Sequence, residues 1–208
     1  MDYTLSDKDV LKERMEYTGV HPQKFLLWLA MASMTMFFGA LTSALIVKKA
    51  DIQTWENFRL PTVFIYSTIA VVAVSVLMHF SLIQYRKAKF GLFRVLFSIA
   101  FVMAILFLGL QYLGWKQLEA IGMTLDGNIS GSFIYLITSL HGLHIVIGLL
   151  ITLIFLANAI RSRKDPIYEL SNIANPKRVF NLEMLVTFWH YIDAVWVYLY
   201  VFLYFNYQ

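Results

Sequence analysis

Five stretches of this chain, about 24–47, 61–83, 93–115, 132–157 and 183–206, are apolar and long enough to cross a bilayer. At ~1.5 Å per residue a helix of about 20 residues covers a hydrocarbon core of ~30 Å. Within lipid every backbone N–H and C=O needs a partner inside the protein, which leaves helices as the structure such runs can adopt. The expected fold class is therefore all-α: a polytopic membrane protein with a bundle of five transmembrane helices. Residues 24–208 read as a single transmembrane domain preceded by an aqueous leader, 1–23. That leader does not read as a signal peptide, because Asp2, Asp7, Asp9, Glu13 and Glu16 stand where such a peptide needs bases and apolar residues.

Composition excludes several other classes. Hydrophobic residues make up 59% and charged residues only 14%, with a mean hydropathy of +0.64; a soluble domain carries about a quarter charged residues. There is no cysteine, which removes disulfides, iron–sulfur clusters and thiolate metal sites. The net charge of +4 does not point to nucleic acid, because the bases cluster at membrane ends. Thirteen of the seventeen Lys and Arg fall on one side of the five-span topology, in the leader with Lys24 and in the second-to-third and fourth-to-fifth connections. The positive-inside bias then places the amino terminus inside and the carboxyl terminus outside. On this reading Trp196, Tyr198, Tyr200, Tyr204 and Tyr207 form an aromatic belt at the outer interface.

Polar residues inside the apolar runs are the functional candidates, since ionisable groups at membrane depth are costly and normally face protein. In the first run the small residues Ser33, Gly39, Ala40 and Ser43 predict a packing face. In the second, Thr68, Ser75 and His79 form one narrow stripe; His79 reads as an interfacial group or as a bond to another helix or subunit. Arg86, Lys87, Lys89 and Arg94 follow as a basic loop. Gln111 in the third run is expected to bond a neighbouring helix, and 116–131 to form the longest loop on the opposite side, with a turn at Asp126-Gly127-Asn128. The fourth run holds Thr138, then His141 and His144 one turn apart, then Gly148. Two imidazoles so spaced could bind a metal or hold haem iron. However, no carboxylate or cysteine lies near them, and the flanking glycines suggest close helix contact. Buried, hydrogen-bonded histidines are the simpler reading. Arg161, Arg163, Lys164, Lys177 and Arg178 make a second basic loop, interrupted by Pro166 and Pro176. In the last run Glu183, Thr187, His190 and Asp193 fall on one arc of a helix turning about 100° per residue. They are expected to satisfy one another and adjacent helices, as a structural network or, more sharply, as a proton relay.

The last two runs together resemble subunit III of the haem–copper respiratory oxidases. The motifs that carry the resemblance are Gly131-Ser132-Phe133 with Thr138-Ser139-Leu140-His141-Gly142-Leu143-His144-Ile145 and Gly148, and Glu183 with Phe188-Trp189-His190-Tyr191-Ile192-Asp193-Ala194-Val195-Trp196. Weaker matches at Phe37-Phe38-Gly39, Leu60-Pro61, Ser67-Thr68, His79 and Gln111 extend it over about residues 24–206. The chain departs from the pattern at Ser33-Met34, where the family has Ser-Glu, and at Gly114, where Gln-x-x-Glu would place a glutamate. Ser139 stands for a customary glycine. Longer members have seven spans, and this chain looks like the five-span form.

The resemblance implies a subunit without redox centres in a bacterial plasma membrane. It would pack on oxidase subunits I and II, with haem and copper carried by the partners and no cofactor or metal bound by this chain. A structural phospholipid would be the remaining ligand. It would support proton uptake, complex stability and lipid or oxygen access while electrons pass from cytochrome c to O2, without being catalytic alone. Contacts to subunit I or lipid would fall among His79, Gln111, Thr138, His141, His144, Glu183, Thr187, Trp189, His190, Asp193 and Trp196. The alternatives within reach are a quinol oxidase subunit III and the accessory subunit of a nitric oxide reductase, with His141-Gly142-Leu143-His144 favouring the oxidase branch. An autonomous haem protein or proton-coupled transporter built on His79, His141, His144, His190, Glu183 and Asp193 is the rival of a different class.

Overall fold

The computed structural model describes residues 21–51, 58–125, 127, 129–162 and 176–207. All regular secondary structure among them is helical: α1 (Pro22–Asp51), α2 (Val63–Arg86), α3 (Phe90–Ala120), α4 (Ile129–Arg161) and α5 (Pro176–Tyr207). All five helices are long and apolar enough to cross a membrane. Residues 1–20 of the expected leader, Asp126 and Asn128 of the expected turn, and Arg163, Lys164 and Pro166 lie outside the described residues.

Helices extend past the apolar runs wherever the flanking polar residues are good helix formers. α3 continues through Lys116, Gln117, Leu118 and Glu119, where Lys116 and Glu119 pair at 3.6 Å across one turn. The connection expected over 116–131 is shortened accordingly. α3 stops at Gly122, whose φ of +85° lets Met123 N–H reach back to Leu118 C=O at 3.0 Å and close the helix end. α2 ends the same way without a glycine. Ala88 takes φ +59°, its N–H bonds Tyr85 C=O at 3.1 Å, and Lys89 N–H bonds Gln84 C=O at 3.0 Å. The basic loop therefore shrinks to residues 87–89, with Arg86 closing α2 and Arg94 already inside α3.

The tight connection makes α2 and α3 an antiparallel hairpin, the most extensive helix pair of the molecule. α5 packs on α2, α4 and α1, and α3 packs on α4. The core is mostly aromatic and aliphatic, with Trp189, Trp196, Tyr207, Phe97 and Phe107 among its fully buried side chains. Trp196 thus belongs to the core rather than to an outer belt. Its ring lies 5.1 Å from Phe107 of α3 and 6.4 Å from Phe64 of α2.

The packing face of α1 also differs from expectation. Phe38, Thr42 and Leu45 are buried, while Ser33, Ala40 and Ser43 are exposed. Thr35 and Thr42 of α1 meet the hydroxyls of Tyr191 and Tyr198 of α5. Close backbone approach occurs instead at Gly148 of α4. A Cβ there would lie 3.1 Å from Phe188 and 3.3 Å from Trp189.

Candidate functional site

α5 carries side chains to three other helices, each at a defined level. Nearest its start Glu183 pairs with Arg86 of α2 at 2.7 Å, both groups partly exposed. One turn on, Thr187 is exposed and donates to the C=O of Glu183 in its own helix at 2.8 Å. Trp189 is fully buried, and its indole N–H donates to Oγ1 of Thr152 on α4 at 2.9 Å. His190 Nδ1 shares a short hydrogen bond with Oγ of Ser75 on α2. The imidazole of His79 lies beside it, with ring centroids 5.7 Å apart. Tyr191 points the opposite way. Its hydroxyl donates to Met31 C=O at 2.7 Å and lies 2.8 Å from Oγ1 of Thr35, both on α1.

One level further, Trp196 donates to Oγ1 of Thr68 on α2 at 3.1 Å. The Tyr198 hydroxyl lies 2.9 Å from Oγ1 of Thr42 on α1. At the far end the buried Tyr207 donates to Ser130 C=O of α4 at 2.6 Å, and Lys49 of α1 caps Asn206 C=O. α3 takes part through Trp115, which donates to Thr138 of α4 at 2.9 Å, and Gln111, which donates to Ser67 of α2 at 3.2 Å.

One local device recurs. Thr68, Thr138 and Thr152 each donate their hydroxyl to the C=O four residues back, at 2.7, 2.7 and 2.8 Å. A hydroxyl has one proton but two lone pairs, so each stays open as an acceptor. An indole can only donate. Each tryptophan of this set therefore meets an acceptor already fixed by its own helix.

The four polar groups expected on one α5 arc do not satisfy one another. Glu183 turns to Arg86, Thr187 to its own backbone and His190 to Ser75. Asp193 is 3% exposed and neither carboxyl oxygen has a hydrogen-bond partner among the described residues. His141 and His144 are not interhelical bonds either. His144 Nδ1 meets Leu140 C=O of its own helix at 2.7 Å. His141 is fully buried and neither ring nitrogen has a hydrogen-bond partner among the described residues; its ring lies tilted against Trp196 at 5.1 Å, flanked by Phe107 at 5.9 Å and Phe38 at 6.2 Å. Its ring serves as a planar packing element. Among the described residues no three His, Cys, Asp or Glu side chains come together to hold a metal ion.

Sequence reading missed Thr152, Trp115, Thr35, Thr42, Tyr191 and Arg86 as partners. The signal was present but unspecific: tryptophan and tyrosine buried in lipid need acceptors, and threonine in an apolar helix supplies them. At Gly114, one of the departures noted above, an added Cβ would lie 2.9 Å from the ring of Phe64. That aromatic ring occupies the space a glutamate side chain would need.

The comparisons with known proteins agree along nearly the whole bundle. The family model described as cytochrome c oxidase subunit III matches residues 23–207. A cytochrome c oxidase subunit 3 of Thermostichus vulcanus is 25% identical, covering 91% of this chain and 91% of its own length. The Bacillus subtilis protein of the same name is 28% identical over 87% of this chain and 85% of its own length. That of Synechocystis is 28% identical over 83% and 70%.

Proposed function

Since the chain belongs to the cytochrome c oxidase subunit III family, we propose that it serves as a redox-centre-free scaffold subunit of a haem–copper terminal oxidase. It packs on subunits I and II, which carry haem and copper, and it supports proton uptake, turnover stability and lipid or oxygen access during electron transfer from cytochrome c to O2. It lies in a bacterial plasma membrane with the amino terminus inside, an orientation supported by thirteen of seventeen bases falling on one side.

The observation that carries the reading is how the polar side chains of α5 are used. Trp189, His190, Tyr191, Trp196, Tyr198 and Tyr207 hydrogen-bond α1, α2 or α4, and Glu183 pairs with α2. Groups committed to neighbouring helices hold a shape, and a fixed shape is what a scaffold presents to partners. The sharper alternative, a proton relay along α5, has no side-chain hydrogen bond joining Glu183, Thr187, His190 and Asp193 to one another among the described residues to favour it. Deletion of the gene should lower oxygen uptake driven by reduced cytochrome c in isolated membranes, with restoration by the intact chain. Unchanged uptake would overturn the proposal, and a loss confined to quinol-driven uptake would reassign the electron donor.

A further inference from the structure

Two helices of the bundle begin with a base where a helix start favours an acid. α5 opens at Pro176 with Arg178 in its first turn, α3 opens at Phe90 with Arg94 one turn in, and neither has an Asp or Glu in its first turn. A helix start already carries about half a positive charge, which favours anions and opposes cations there. The positive-inside bias accounts for bases on this side of the bundle. It does not account for two of them, from different helices, meeting at one cavity.

That cavity, of about 230 Å³, opens where α3 and α5 begin and α4 ends. Its polar wall is Arg94 and Arg178 with the carboxamides of Asn158 and Asn181, and no Asp or Glu among the described residues lines it. Its apolar wall includes Phe93, Phe155 and Leu182. Both guanidiniums have other interactions in the chain. Each carries five N–H donors in a planar fork, however, so a pairing on one edge leaves donors for a second acceptor. A fork of that shape matches the oxygens of a phosphate. The volume lies below the roughly 300 Å³ at which pockets for larger organic ligands begin, so it suits a headgroup rather than a nucleotide.

We propose that this cavity binds one phosphate group, gripped by Arg94 and Arg178, with Asn158 and Asn181 supplying further N–H donors. The phosphate arrives as the headgroup of an anionic phospholipid in the adjoining leaflet or as free phosphate from the adjoining water. Ile154 at the lip and Leu150 one turn deeper along α4 are exposed and apolar, a surface that acyl chains can follow. An amine-bearing headgroup would set a cation against two guanidiniums, so among lipids the site takes phosphatidylglycerol. The site uses residues of this chain alone and stands whether or not the scaffold role does.

The test titrates the full chain, delipidated in detergent together with any chains that accompany it. Phosphatidylglycerol and phosphatidylcholine are followed by native mass spectrometry, and inorganic phosphate by phosphorus NMR. The expected result is saturable one-to-one binding of phosphatidylglycerol, with phosphatidylcholine at least about tenfold weaker, or saturable one-to-one binding of inorganic phosphate. Displacement of the lipid by inorganic phosphate would identify the free ion as a sufficient ligand, and resistance to displacement would identify the lipid. Arg94→Gln and Arg178→Gln should each weaken binding at least about tenfold. Ala159→Leu fills the cavity, which Ala159 lines, with every charge left in place, and should do the same. Lys87→Gln and Arg161→Gln remove exposed bases outside the lining and should stay within about twofold, because exposed charges are screened by salt. Circular dichroism checks that each variant folds; should an arginine variant not fold, Ala159→Leu and the unaltered chain still decide. No saturable binding of either phosphate to the unaltered chain would overturn the proposal. So would full affinity in Ala159→Leu, or equal losses in the lining and control variants, which would mean a diffuse basic surface.

Discussion

Oγ1 of Thr68 accepts the indole proton of Trp196 at 3.1 Å while donating its own proton to Phe64 C=O at 2.7 Å. The two residues lie 128 positions apart and join the second helix to the last. A hydrogen bond between membrane helices contributes ~0.6 kcal/mol on average, and up to ~1.7. Trp196→Phe removes the donor and some ring area, whereas Thr68→Val removes the acceptor at nearly constant volume. Each is expected to destabilise the detergent-solubilised chain by about 1 kcal/mol. The double variant should fall short of the sum, since both remove one bond. Denaturant unfolding followed by tryptophan fluorescence or circular dichroism reads the difference.

Gly148 allows α4 to approach α5, because any Cβ would meet Phe188 at 3.1 Å and Trp189 at 3.3 Å. Gly148→Val should cost ~1–3 kcal/mol through overpacking. Trp189 would also be displaced from Thr152, its hydrogen-bond acceptor. A shift of tryptophan emission together with a lower melting temperature is the expected signature. By contrast Gly39, with nothing within 4 Å of an added Cβ, should tolerate alanine.

Ala88 ends α2 at φ +59°, a conformation in which a Cβ costs about 1–2 kcal/mol. Gly122 ends α3 in the same way at +85° without that cost. Ala88→Gly should therefore raise stability by about 1 kcal/mol, less the backbone entropy glycine adds to the unfolded chain. A higher melting temperature checks it, and Gly122→Ala should move the temperature the other way.

Both carboxyl oxygens of Asp193 are buried without partners among the described residues. Its neighbour in sequence, His190, is held by Ser75 and not by this acid. Asp193→Leu is thus expected to leave the separated chain as stable as before, or more stable by about 1–3 kcal/mol, because an unmet polar group is exchanged for an apolar one. Ser75→Ala should be the variant that frees His190, detected by its altered histidine NMR shift.

The fold class was legible because length and apolarity alone force spanning helices. The motif pairs around His141 and His190 were legible as a family signature, and they meet where α4 and α5 pack closely, at Gly148 against Phe188 and Trp189. Partner choice was not legible. Helical spacing places Glu183, His190 and Asp193 on one arc but says nothing of what the neighbouring helix offers. Arg86 and Ser75 of α2 captured two of them and left the third alone. The face of α1 was misjudged for a related reason. Small residues permit close packing, but the side that turned inward carries Phe38, Thr42 and Leu45, with Thr42 meeting Tyr198 of α5.

The most direct measurement is the haem and copper content of the tagged chain, taken first as the intact detergent complex and again after the subunits are separated. A haem- and copper-containing complex is expected at first, with no Soret band remaining with the isolated chain. Haem bound stoichiometrically to the separated chain, or purification of the chain from membranes with no haem-bearing partner, would contradict it.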